Sequence, residues 1–298
     1  MFDINNKTPL RGVTLMIIAT ILFSIMHATI KYMSSSLHPF EIVFFRNLFG
    51  LIVIAPWFIK YGFHPLKTKK LKLHLSRSFI NVIAMFSFFY SLSITPLAEV
   101  ASLAFTAPLF ASILAVIFLK EIVGIKRGIA IIFGFIGALV VIDPVYSSIN
   151  SGHLLVLLSA SVWSISLIII KILGRTESSV TITSYMVIIM IPLSALVALF
   201  FWQTPTIKEL IFLLIIGVCG TAGQMLLAQA LRQGDTSIIM PFDFLKLIWA
   251  VCIGYLFFFE VPTINTWVGS IIIFLSTLYI AYREKLLSKK IITQPSDQ

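Results

Sequence analysis

A chain of 298 residues in which 59% are hydrophobic and only 11% are charged is not an ordinary soluble domain, where about a quarter of residues carry charge. The net charge of +10 does not mark a nucleic-acid binder either, because the basic residues stand at the borders of apolar runs and form no stripe with interleaved aromatics. Cys219 and Cys252 are the only cysteines; both fall inside apolar runs, which argues against a disulfide framework and leaves no metal-ligand spacing.

A membrane-spanning helix needs about 20 apolar residues, and ten such runs follow one another at residues 12–33, 40–59, 76–94, 98–119, 127–142, 153–173, 182–202, 208–230, 238–258 and 265–282. The first is too long for a signal-peptide core, carries Lys31 and lacks a small-residue cleavage site, so it reads as a retained span. It also holds His27, which titrates near neutral pH and could carry a coupling proton, or simply pack through a hydrogen bond. The second span holds Arg46, two turns inside; Glu41 is poorly placed to pair with it, and an inter-helix anchor is the preferred reading. Asn81 and Tyr90 in the third span and Thr106 in the fourth are polar groups in apolar helices, able to bind a solute or to join helices. Pro108 should kink the fourth span, which ends at Glu121, and Gly134 and Gly137 give the fifth a small-residue face.

Past Gly152 the pattern returns. Gly12–Met33 aligns without a gap on Gly152–Leu173, with Gly12 on Gly152, Leu15 on Leu155, Phe23-Ser24 on Trp163-Ser164 and Lys31 on Lys171. Trp163 and Trp249 could stack on a planar ligand, although packing is the commoner use of a buried Trp. Pro192 should kink the seventh span, while Gly217, Gly220 and Gly223 recur every third residue in the eighth beside Gln224 and Gln229. In the ninth, Asp243 and Lys246 share one helical face after Pro241, and could neutralise each other or hold a zwitterion's amine and carboxylate. A carboxylate at a helix C-terminus is disfavoured by the helix dipole. Glu121 and Glu260 should therefore find cations, Glu260 with Lys31 at one membrane face and Glu121 with Lys171 at the other, as alternating latches.

A duplicated unit of five spans must enter the membrane from opposite sides, which is the inverted repeat of many alternating-access carriers. The expected organisation is an all-α integral membrane protein of ten transmembrane helices: a tail at 1–11, a first repeat at 12–142, a connecting loop at 143–152, a second repeat at 153–282 and a tail at 283–298. With the N-terminus cytoplasmic, all of the 22 basic residues except Lys31, Lys208, Arg46 and Lys246 collect on the inner side, Arg77 among them. That asymmetry places the chain in the cell (inner) membrane with both termini inside.

The segment His38-Pro-Phe-Glu-Ile-Val-Phe-Phe-Arg46, the closing Phe118-Leu-Lys-Glu121, and, in the second half, Pro241-Phe-Asp-Phe-Leu, Gly254-Tyr-Leu-Phe-Phe-Phe-Glu260-Val-Pro262 and Trp267-Val-Gly269 together resemble the EamA-type branch of the drug/metabolite transporter superfamily. The second-span segment is also similar to that of S-adenosylmethionine uptake carriers in this branch. The resemblance implies ten helices around a central cavity lined mainly by spans 1, 3, 4, 6, 8 and 9, and a small-metabolite substrate that membership alone does not specify.

The expected function is secondary transport of a small amphiphilic or zwitterionic metabolite, amino-acid-like, S-adenosylmethionine-like or a vitamin, coupled to protons or to a counter-transported solute. No cofactor, metal or nucleic acid is expected. An intramembrane lipid- or headgroup-modifying enzyme would need clustered catalytic groups, yet no HExxH or G-x-S-x-G is present, no P-loop implies ATP, and His38, His64, His74 and His153 fall in loops or at span edges. A passive channel would show a ring of like charges or a carbonyl filter.

Overall fold

The computed structural model describes residues 9–119, 125–144, 150–233 and 236–293, and all regular structure among them is helical. In hydrocarbon each backbone N–H and C=O must be paired within its own segment, which leaves the helix as the solution for runs like these. Ten segments are long and apolar enough to cross a bilayer: Leu10–Met33, Pro39–Tyr61, Leu71–Ile94, Leu97–Leu114, Ile125–Ile142, Ser151–Leu173, Ser179–Phe201, Ile207–Gln233, Met240–Phe258 and Ile264–Arg283. The helices are α1 (Pro9–Met33), α2 (Pro39–Tyr61), α3 (Leu71–Ile94), α4 (Leu97–Ala104), α5 (Ala107–Leu119), α6 (Ile125–Ile142), α7 (Ser151–Leu173), α8 (Ser179–Ala198), α9 (Ile207–Gln233), α10 (Thr236–Ile239), α11 (Leu245–Phe258) and α12 (Ile264–Thr293).

Local chemistry sets the helix ends. His38 accepts from the Phe40 N–H and Pro39 supplies the fixed φ of the first turn of α2. Asn150 caps α7 through the Gly152 N–H, and Ser178 caps α8 through the Thr181 N–H. The fourth span is not continuous: α4 stops at Ala104 because Pro108 has no N–H to offer that residue's carbonyl, and α5 restarts at Ala107. The ninth span likewise opens as a 3-10 turn, Met240–Phe244, around Pro241 before α11 begins.

The outside of the bundle is apolar and the inside carries the polarity, as expected when lipid is the solvent. Ile132, Phe133 and Leu139 of α6 and Leu275 of α12 are exposed, whereas Thr20, Asn47, Asn81, Ser102, Thr106, Ser164 and Thr221 are buried. α1 lies along α9, α3 along α7, α2 along α8, and α6 along α12. Small residues set these approaches. A β-carbon on Gly220 would come 2.9 Å from Arg46 Nε and 2.6 Å from Met26 Sδ, and one on Gly223 would meet the Phe23 ring at 3.0 Å, so the glycine face of α9 receives α1 and α2. Gly137 and Gly269 bring the backbones of α6 and α12 together, each β-carbon position lying 2.9 Å or less from the other's carbonyl oxygen.

Gly12, at the start of α1, packs on Ala230 and Ile239 at the end of α9 and in α10. Its aligned partner Gly152, at the start of α7, packs on Ile94 and Thr95 at the end of α3. Thr95 also accepts a bond from Lys31 near the end of α1, so α7 begins at the face of the bundle where α1 finishes.

Candidate functional site

One interior ion pair stands between α1 and the broken ninth span. Lys246 Nζ lies 2.5 Å from Asp243 Oδ1, three residues earlier, with both side chains still partly accessible. The 3-10 turn displaces Asp243 from ideal helical register, and the pair forms across the junction with α11. The same ammonium sits 4.8 Å from the centroid of the Phe23 ring, a cation–π contact with α1. One turn further along α1, His27 stands 4.9 Å from the Phe88 ring of α3 and 6.3 Å from Phe23, a ring-to-ring line leading away from the ion pair. Trp249 is tied to α1 by a bond from Nε1 to Thr20 Oγ1 at 3.3 Å. Phe244 stacks on Phe105 at the break of the fourth span, with centroids 4.0 Å apart.

Beyond His27, about 6 Å further along the helix axis at 1.5 Å per residue, Lys31 stands near the end of α1. Its Nζ lies 2.6 Å from Glu260 Oε1 and donates to the Thr95 carbonyl at 2.7 Å. The other carboxylate oxygen of Glu260 accepts from the Leu97 N–H at 2.8 Å, the first turn of α4, where the helix dipole favours an anion. Phe259 reaches this arrangement in the left-handed region, φ 56°, with the Glu260 N–H bonded back to Gly254 O at 3.0 Å. Three segments distant in sequence are thus tied by one carboxylate. Nearby, His153 of α7 meets Glu99 of α4 at 2.8 Å.

Other expected site residues fall elsewhere in the bundle. Tyr90 lines a separate crevice of about 260 Å³ with Phe40, Phe86, Ser87 and Leu155. Asn81 donates to Met190 Sδ on α8 at 3.2 Å. Gln229 accepts from Ser179 and from Arg232, which also reaches the Gly174 carbonyl and joins the end of α9 to α7. Thr106 bonds the Leu103 carbonyl at the break of the fourth span. Gln224 is buried, and Trp163 packs against the main core. Arg46 bonds its neighbour Asn47 at 2.9 Å, while Glu41 accepts from the Gln203 N–H, so the two do not meet. Lys171 is exposed, and its expected partner Glu121 lies outside the described residues.

Two placements correct the sequence reading. Arg77 is not an inner-loop cation: α3 begins at Leu71, five residues before the expected start, so Arg77 lies nearly two turns inside and only 1% exposed. The same early start buries His74, stacked 4.4 Å from the Tyr185 ring, while His153 sits at the expected span edge, buried in the first turn of α7. No group of three or more potential metal ligands occurs among the described residues.

His38, outside the spans, stacks on Phe201 at 4.0 Å. Burial there lowers its pKa from the ordinary histidine value.

The chain has clear relatives. A sequence model of the EamA-like transporter family matches residues 10–143 and again residues 150–282. An S-adenosylmethionine uptake transporter of Rickettsia bellii (strain RML369-C) is 35% identical over 262 residues, covering 88% of this chain and 90% of that protein. A riboflavin transporter of Vibrio cholerae serotype O1 is 31% identical over 288 residues, covering 95% and 96%. A solved crystal structure described only as a protein shares the fold, with a TM-score of 0.63 at 16% identity over 94% of this chain and 98% of that one.

Proposed function

The chain belongs to the EamA-like transporter family, and from that premise we propose that it carries a small zwitterionic metabolite across the membrane by alternating access, with S-adenosylmethionine-like solutes as the class it fits best. The observation that carries this reading is the Lys246–Asp243 pair beside Phe23, His27 and Trp249. An amine and a carboxylate can displace the two partners from each other at little electrostatic cost, since one opposite-charge pair replaces another. The neighbouring aromatic faces suit a planar ring at the far end of the solute. Identity to the Rickettsia bellii protein over most of both chains supports the same solute class.

The two halves, 12–142 and 153–282, act as inverted repeats with both termini cytoplasmic. That the start of α7 shares Thr95 with the end of α1 supports opposite orientations for the two aligned helices. Lys31–Glu260 is the external latch of this scheme and Lys171–Glu121 its internal counterpart, one open while the other is closed. His27, one turn from each of Phe23 and Lys31, is the candidate carrier of a coupling proton.

Riboflavin is the second reading, supported by the Vibrio cholerae relative. Its ring would use the aromatic faces and make no demand on an ion pair. Uptake of both solutes into proteoliposomes, with and without a proton gradient, tests these readings. Zwitterion transport should fall at least tenfold in Asp243→Asn and in Lys246→Ala. Unchanged rates in both variants would remove this site from the mechanism, and riboflavin transport indifferent to both would select the second reading.

A further inference from the structure

Two buried cations in this bundle have no ion-pair partner among the described residues. They are Arg46 of α2 and Arg77 of α3, each 1% exposed. A guanidinium carries five N–H groups. Arg46 places one on Asn47 Oδ1 at 2.9 Å. Arg77 places one on the Ile182 carbonyl at 2.9 Å and directs another to Met186 Sδ at 3.5 Å, a weak acceptor. The Nε–H of both is buried without a partner. A charge taken out of water is stable only when it is paired and its donors are used, and neutral acceptors of this number do not meet that requirement.

The two side chains converge on one level of the bundle. Met186, which receives Arg77, is followed by Val187, and Val187 and Thr221 both lie against Gly50 of α2. Gly220, the residue before Thr221, lies against Arg46 Nε. Thr221 Oγ1 is itself buried with no hydrogen-bond partner. Unused donors on α2, α3 and α9 therefore lie at this level of the bundle. Nothing in this set is an acidic side chain that would supply the missing charge.

We propose that Arg46, Arg77 and Thr221 form a binding site for a small monovalent anion, a carboxylate or a halide, enclosed between α2, α3, α8 and α9. The planar guanidinium forks suit a carboxylate, and convergent N–H and O–H donors equally suit a halide. A phosphate would call for more free donors than these three. The site is distinct from the Lys246–Asp243 pair. Its closure from solvent in this conformation means that an anion enters or leaves only when the surrounding helices move, which links occupancy to the transport cycle. The anion comes either from the solute's own carboxylate or from inorganic salt.

The test is thermal unfolding of the full-length protein in detergent, titrated with sodium chloride or sodium acetate at constant ionic strength made up with sodium sulfate. A saturable rise in Tm of several degrees is expected with at least one of the two anions, and its loss in Arg46→Gln and Arg77→Gln. A rise with acetate alone assigns the site to a solute carboxylate; a rise with chloride assigns it to the inorganic ion. Should either glutamine variant fail to fold, Thr221→Val keeps the shape and removes only the hydroxyl, and it should raise the half-saturating concentration severalfold. A wild-type Tm indifferent to both anions, or a titration unchanged in Thr221→Val and in whichever glutamine variant folds, overturns the site. Neither result bears on the Asp243→Asn transport assay, so failure here is separable from failure of the substrate reading.

Discussion

Glu260 is bonded on both sides, to Lys31 of α1 and to the Leu97 N–H of α4. Hydrogen bonds to a charged group contribute about 1.5–3 kcal/mol each, so Glu260→Gln should destabilise the protein by about 2 kcal/mol in denaturant or thermal unfolding. Lys31→Gln should then cost much less in the Glu260→Gln background than alone, the coupling expected of a direct pair. Phe259 holds a left-handed conformation that costs a side-chain-bearing residue about 1–2 kcal/mol. It is 86% exposed, so Phe259→Gly gives up little packing and should stabilise the fold by about 1 kcal/mol, read as a rise in Tm. His38 caps α2 through Nδ1 and is more readily neutral when folded than when unfolded. Below about pH 6.5, the ordinary histidine value, the unfolded chain takes up the proton first, so this contribution is intact at higher pH and is lost as pH falls. His38→Phe should flatten the decline of Tm between pH 7.5 and pH 5. The Lys31–Glu260 contact was legible in the sequence because carboxylates ending helices demand cations and the repeat pointed to them. Arg77 was not, since a basic residue within two turns of a span boundary reads as a topology signal whether or not the helix starts earlier.

At the scale of helices, hydropathy alone located all ten spans, because lipid imposes length and composition on each independently of its neighbours. It did not locate the start of α3, which depends on backbone bonding around Leu71, whereas Pro108 marked where the fourth span parts. The glycine face of α9 was expected from spacing, and the structure shows what fills it: Phe23 and Met26 from α1 and Arg46 from α2. Gly220→Ala would drive a methyl into Met26 and Arg46, and overpacking of this kind costs about 1–3 kcal/mol. The loss should appear as lowered thermal stability with secondary structure retained by circular dichroism. Which polar residues meet in the interior was less legible, because spacing gives the face of a helix and not its neighbour. Tyr90 and Gln229 share their spans with plausible site positions yet serve the Phe40 crevice and the Arg232 contact.

In the whole molecule, long-range packing pairs the first half with the second, α1 with α9 and α3 with α7. The two halves are therefore not independent bodies joined by a linker, and rearrangement has to exchange contacts between them. Stability and cycling should be separable by cross-linking. A thiol-cleavable bifunctional cross-linker joining cysteines substituted at positions 31 and 260 should stop solute uptake, with activity recovered on cleavage.

The seam between α6 and α12 behaves differently. With a glycine of each helix set against the other's main chain, neither can slide past its neighbour without collision, and the Asn265–Asp143 hydrogen bond at 2.8 Å pins one end of the seam. Such a seam is a fulcrum. Whatever tilts the remainder of the bundle, these two helices should keep their mutual distance throughout the cycle, and spectroscopic labels placed across them should report one unchanging separation while labels elsewhere report two.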